Sequence, residues 1–139
     1  MKKILKETIR NSSTGVQAID NVLPYVDDDK LAEIMKEQKQ VMCDFYNRAK
    51  EGLPAEEVAE AEGNVISKTM MKAGASISAM INREPSHIAE MLIEGYQMGV
   101  TSMQKCVNET EASKDEVPDI AKELVRTYDK FIKSLRRFL

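Results

Sequence analysis

Residues 27–54 read DDDKLAEIMKEQKQVMCDFYNRAKEGLP, and the spacing inside this stretch decides the fold. Leu31, Ile34, Met35, Gln38, Val41, Met42, Phe45 and Ala49 recur at steps of three and four. That is the period of one helix face, not the alternation of a strand. Asp27, Asp28 and Asp29 stand where an N-cap and first turn satisfy free backbone N–H groups and complement the helix dipole. Gly52 stands where a left-handed cap belongs, and Pro54 follows it. The stretch predicts an amphipathic helix over 29–51.

Working outward, the same period fills the rest of the chain. Before it, Ile4, Thr8, Ser12, Gly15, Ile19 and Leu23 predict a helix over 2–24, with Val16, Val22 and Val26 widening the face and Pro24 near its stop. After it, LPAEEVAEAEGN carries Glu56, Glu57, Glu60 and Glu62 with no neighbouring base, and reads as a solvated loop or a short exposed helix. Residues 64–82 predict a third long helix, with Met70, Ala73, Ile77 and Met80 on its apolar side and small residues around Gly74. Pro85 suits a first helical position. It opens a fourth run, about 86–109, carrying Ile88, Met91, Leu92, Gly95, Gly99, Met103 and Cys106. A fifth run, about 116–138, carries Ile120, Leu124, Tyr128, Phe131 and Leu135. Lys133, Arg136 and Arg137 in its last turn favour a helix C-terminus. Runs of this length span roughly 27–35 Å at ~1.5 Å per residue. Short turns join the first two and the last two into antiparallel hairpins, and the third run carries the chain between them. The reading is a single all-α domain over 1–139.

Composition agrees. A chain of 139 residues, 42% hydrophobic and 31% charged, can bury a core without metal or disulfide staples. A net charge of −3 without a basic stripe interleaved with aromatics argues against nucleic acid. The opening MKKILKETIR has the charged start of a secretion signal. Lys6, Glu7 and Arg10 interrupt the apolar run that should follow, so no signal is expected. No run approaches the ~18 apolar residues that a membrane span needs. Cys43 and Cys106 lack a CxxC spacing and read as reduced thiols of a cytoplasmic protein.

The run SKTMMKAGASISAMINREPSH, followed by HIAEMLIEGYQMGV with Glu94-Gly95 near its middle, resembles small bacterial helical-bundle proteins of the ferritin-like superfamily. The resemblance covers most of residues 8–138. It implies a ferritin-like four-helix bundle with an additional helix in the crossover between helices two and four. It also raises metal binding, because the broader superfamily includes metal-carboxylate proteins.

The residues answer that question in the negative. A dinuclear carboxylate site takes a Glu from each of two helices and a Glu-x-x-His from each of the other two. This chain has one histidine, His87, and its Glu84-Pro85-Ser86-His87 lies at a helix start. The first helix offers no acid between Glu7 and Asp20. A complete two-histidine site therefore cannot be assembled within one chain. No metal is favoured. A reduced site, holding iron or manganese, would have to use Glu94 and His87 with Glu37 from the second helix.

Three functional readings follow. The favoured one is a non-catalytic bundle acting by self-association or by binding another protein. It rests on small-residue faces, with Gly95, Gly99 and Gly74 as helix-packing positions, and on nine methionines, which fill cores and form adaptable surfaces. In this reading Gly95 and Gly99 receive the third helix around Gly74 and Ser78. The second is a ferritin-like metal-binding protein with a reduced or inter-chain carboxylate site. The third is a small-ligand bundle with its pocket beside Gly95 and Gly99. One histidine, no nucleophile motif and no phosphate-cradling glycine loop make an enzyme the less favoured class.

Overall fold

In the computed structural model, which describes residues 1–63 and 83–139, the regular structure is helical. Helix α1 covers Lys2–Val22 and passes into a 3-10 turn at Leu23–Tyr25. Helix α2 covers Asp29–Glu51, and α3 occupies residues 55–63. Helix α4 covers Pro85–Ala112. Helix α5 covers Asp119–Leu135 and ends in a 3-10 turn at Arg136–Phe138. No strand occurs among the described residues. The helix expected over 64–82, Gly74 included, lies outside them.

The helix starts follow their local chemistry. Asp28 is the N-cap of α2, its carboxylate accepting from the Leu31 N–H at 2.9 Å. Pro85 is the first residue of α4. The helix ends depart from expectation. Gly52 does cap α2, but with φ −88° it is not left-handed. A Cβ added there would lie 2.8 Å from Cδ1 of Leu5, the far end of a side chain that would have to shift. The left-handed residue is instead Lys114, φ 59°, in the turn between α4 and α5.

The acidic stretch after α2 is more integrated than its local sequence implies. Leu53, Val58 and Ala61 are buried. Glu57 is half-buried, with Lys2 at 3.6 Å and Lys6 at 3.9 Å, and Lys6 also reaches Glu60 at 3.4 Å. The compensating bases, absent nearby in sequence, come from α1.

Contacts between helices fix their directions. Helix α1 packs most closely against α2 and α4, and α5 against α4; the α2–α5 contact is looser. Ser102 of α4 donates to Glu7, Gly99 lies against Asn11, and Lys3 pairs with Glu109. Partner numbers fall along α4 as they rise along α1, so these two helices are antiparallel. Each hairpin is antiparallel as well, with Lys39 2.6 Å from Asp20 across the first. Helices α2 and α4 therefore run in the same direction. The chain between Glu51 and Pro85 has to travel from one end of the helices to the other. Arg83 lies over the Tyr25 ring at 4.8 Å, placing the start of α4 beside the turn between α1 and α2. Side chains from all five helices join one core.

Candidate functional site

Gln38 lies on the apolar stripe of α2, and the fold takes it to 3% exposure. Its amide oxygen accepts from the Tyr96 hydroxyl of α4 at 2.8 Å, a bond across the diagonal of the four long helices. The amide nitrogen has no partner among the described residues. Around this pair, Tyr96 packs on Tyr128 and Phe131 of α5, with ring centroids 5.1 Å and 5.2 Å away. Burial pushes the Tyr96 hydroxyl well above the ordinary phenol range. Tyr128 is raised too, first by burial and then by the carboxylate of Glu7. Both phenols stay neutral, so the centre offers hydrogen bonds and no ready proton exchange.

Glu7 forms a second polar knot, between α1 and α4. It accepts from Arg10 at 3.2 Å, from the Asn11 amide at 3.1 Å and from the Ser102 hydroxyl. Nearby hydroxyls are used within their own helices. Ser12 donates to the Thr8 carbonyl at 2.7 Å, Thr8 to Ile4 at 2.9 Å, and Thr110 to Cys106 at 2.8 Å. These groups cross-link backbone and neighbouring helices, and of the Ser102, Ser12, Thr8 and Thr110 hydroxyls only that of Ser102 meets a carboxylate, that of Glu7.

The candidate metal ligands do not converge. Glu94 and Glu37 are exposed, and His87 is half-buried in the first turn of α4. Among the described residues, no three His, Cys, Asp or Glu side chains gather closely enough to share an ion. The stripe of His87, Met91, Glu94 and Met98 runs along the edge of the core, with Met91 packed against it and Met98 63% exposed. The buried side of α4 is instead Ile88, Leu92, Tyr96, Gly99 and Met103.

The packing glycines separate. Gly95 is exposed, and a Cβ added there meets nothing within 4 Å among the described residues. Gly99 is tightly packed, but against Asn11 of α1 and Tyr128 of α5. Its expected partner, around Gly74, lies outside the described residues. Of the six described methionines, Met35, Met42 and Met103 are fully buried, Met91 is half-buried, and Met1 and Met98 are exposed.

The looser α2–α5 seam carries a groove of about 390 Å³ that the sequence reading missed. Val41 and Phe45 give it apolar walls, and Arg48, Glu123, Arg126 and Lys130 line it with charge. Arg48 spans the seam to Glu123 at 2.5 Å and covers the Phe45 ring at 5.4 Å. Arg126 and Lys130 make no ion pair among the described residues. A signal was available: Lys122, Arg126, Lys130, Lys133 and Arg137 follow steps of four, four, three and four, which line one helix face. Sequence reading assigned only the last of these cations, and assigned them to the helix end.

No protein-family model, curated protein or solved structure matches this chain. Its function is therefore read from geometry.

The two thiols differ in environment. Cys43 is half-buried and Cys106 is buried. Burial pushes the Cys106 thiol up, and the Glu7 carboxylate adds to the shift. Since the thiolate is the reactive species, titration with an aromatic disulfide at mildly alkaline pH is expected to find Cys43 reacting first. Cys106 should react only when denaturant opens the core. Two equally fast thiols would contradict this burial.

Proposed function

We propose that this chain is a ferritin-like four-helix bundle, with an additional helix in its crossover, that acts non-catalytically through protein association. Two antiparallel hairpins with α2 and α4 in the same direction support the layout, since that arrangement demands one long crossover. The observation that carries the function is the α2–α5 face. It combines a sparse contact between two long helices, a groove lined by Val41 and Phe45 among charged side chains, and exposed cations, Arg126 and Lys130, that make no ion pair among the described residues. Concave surfaces with apolar walls and a polar rim suit partner binding. The alternative, iron or manganese on Glu37, Glu94 and His87, draws no support from geometry, because two of the three are exposed on separate helices. No described helix is long and apolar enough to cross a membrane.

Sedimentation velocity across a wide concentration range tests this reading. A discrete dimer or larger species is expected, weakening as salt rises from ~0.1 M to ~1 M and the screening length falls from ~10 Å to ~3 Å. A monomer at every concentration would overturn self-association.

A further inference from the structure

Residues 119–139 carry six cations, Lys122, Arg126, Lys130, Lys133, Arg136 and Arg137, against Asp119, Glu123 and Asp129. This end of the chain is basic while the whole chain has a net charge of −3. All six cations are exposed. None makes an ion pair among the described residues, though Arg137 lies over the Phe138 ring at 4.9 Å.

Across the seam, α2 presents the opposite sign. Glu33, Glu37 and Asp44 are exposed, with Lys30 at one end of the row and Arg48, paired with Glu123, at the other. Helical phase puts these acids on the α5 side of α2, with the groove residues Val41, Asp44 and Arg48. The Arg48–Glu123 pair fixes the antiparallel register of α2 and α5. It sets Glu37 level with Ser134, next to Lys133, and Glu33 level with Phe138, next to Arg137. Glu33 and Glu37 make no ion pair among the described residues. One face thus carries an acidic row beside a basic row, with half-buried Ile34, Val41 and Phe138 near their boundary.

We propose that a second copy of this chain docks on the α2–α5 face about a two-fold axis parallel to the helices. Such a rotation exchanges left and right on the facing surfaces and keeps height. It lays the acidic row of α2 on the basic row of the partner's α5 at the same level, and does so twice. The patch is then self-complementary, as an isologous interface requires. Two neighbouring helices, each about 30 Å long at ~1.5 Å per residue and about 10 Å apart, offer a footprint on the order of 600 Å². That approaches the ~800 Å² per partner of standard interfaces. A phosphate-bearing surface fits less well, because Glu33, Glu37 and Asp44 would repel it.

This inference rests on the association reading, and charge exchange distinguishes the two. One variant carries Lys130→Glu, Lys133→Glu and Arg137→Glu; the other carries Glu33→Lys and Glu37→Lys. All five residues are exposed, and circular dichroism melting confirms that both variants fold like the parent. Each variant alone faces like charge on like charge, costing several kcal/mol. Its dimer affinity should fall by roughly 100-fold or more. Mixed together, the two variants regain opposite charge at both contacts and should form a heterodimer within a few-fold of the parent affinity.

If both variants dimerise as the parent does, the face is wrong while association stands. If both are monomeric and mixing does not rescue them, the pairing is wrong. If the parent never dimerises, both readings fall, and binding of the parent to anionic vesicles or nucleic acid would then reassign the basic row.

Discussion

Gly99→Ala is expected to destabilise the protein by about 1–3 kcal/mol, the range for overpacking a filled core. This is against the helix-forming trend, in which alanine is more favourable than glycine by up to ~1 kcal/mol. An added Cβ would lie 2.6 Å from the Asn11 side-chain oxygen and 2.7 Å from the edge of the Tyr128 ring. Asn11 cannot swing away without breaking its bond to Glu7. Tyr128, 2% exposed, is held between Tyr96 and Phe131. Helix α4 must therefore back away from α1 and α5. Four residues earlier in the same helix, Gly95→Ala meets nothing within 4 Å, and is expected to stabilise by up to ~1 kcal/mol. Urea unfolding of both variants reads the opposite signs, and equal effects would refute the packing described for Gly99.

Tyr96→Phe is expected to cost about 1–3 kcal/mol, because it leaves the whole buried amide of Gln38 without a partner. Gln38→Leu strands the Tyr96 hydroxyl in the same way. The double variant removes both polar groups and should return close to the parent stability or exceed it. The result is strong non-additivity in a double-mutant cycle, and additive single effects would show that the two groups do not act as a pair. Turning the amide over changes which of its atoms is stranded, not the number stranded.

The pair also has a pH signature. The folded state raises the Tyr96 hydroxyl, chiefly by burial. Its neutral form is therefore favoured by folding, and that stability is complete below about pH 10, where an unfolded phenol titrates. It is lost as pH rises above that value, because the unfolded chain then releases a proton that the folded chain retains. Tyr96→Phe should accordingly flatten the alkaline loss of stability.

How far the helix faces could be read depended on contrast. In α5 the apolar residues Ile120, Leu124, Tyr128, Phe131 and Leu135 stand against a charged opposite side. One phase is possible, and all five are buried. In α4, His87, Met91, Glu94 and Met98 form one stripe, and Ile88, Leu92, Gly99 and Met103 form another one residue away. Methionine and glycine are compatible with either side. Local periodicity could not choose between stripes about 100° apart, and the second is the buried one. Glu94, on the first stripe, is therefore at the surface.

The sequence by itself determined that the regular structure of the described residues is helical and where α1, α2 and α4 begin. Those outcomes depend on neighbours three or four residues apart and on caps such as Asp28 and Pro85. The tertiary structure alone decided which groups meet across long separations. It set Gln38 against Tyr96, Glu7 against Ser102, Glu57 beside Lys2 and Lys6, and Arg48 against Glu123. It also leaves an acidic row on α2 beside a basic row on α5, without an ion pair between the two rows among the described residues other than Arg48 with Glu123. The physical reason is that backbone hydrogen bonds and periodicity are local. The pairing of buried polar groups and surface charges depends on the directions in which whole helices pack.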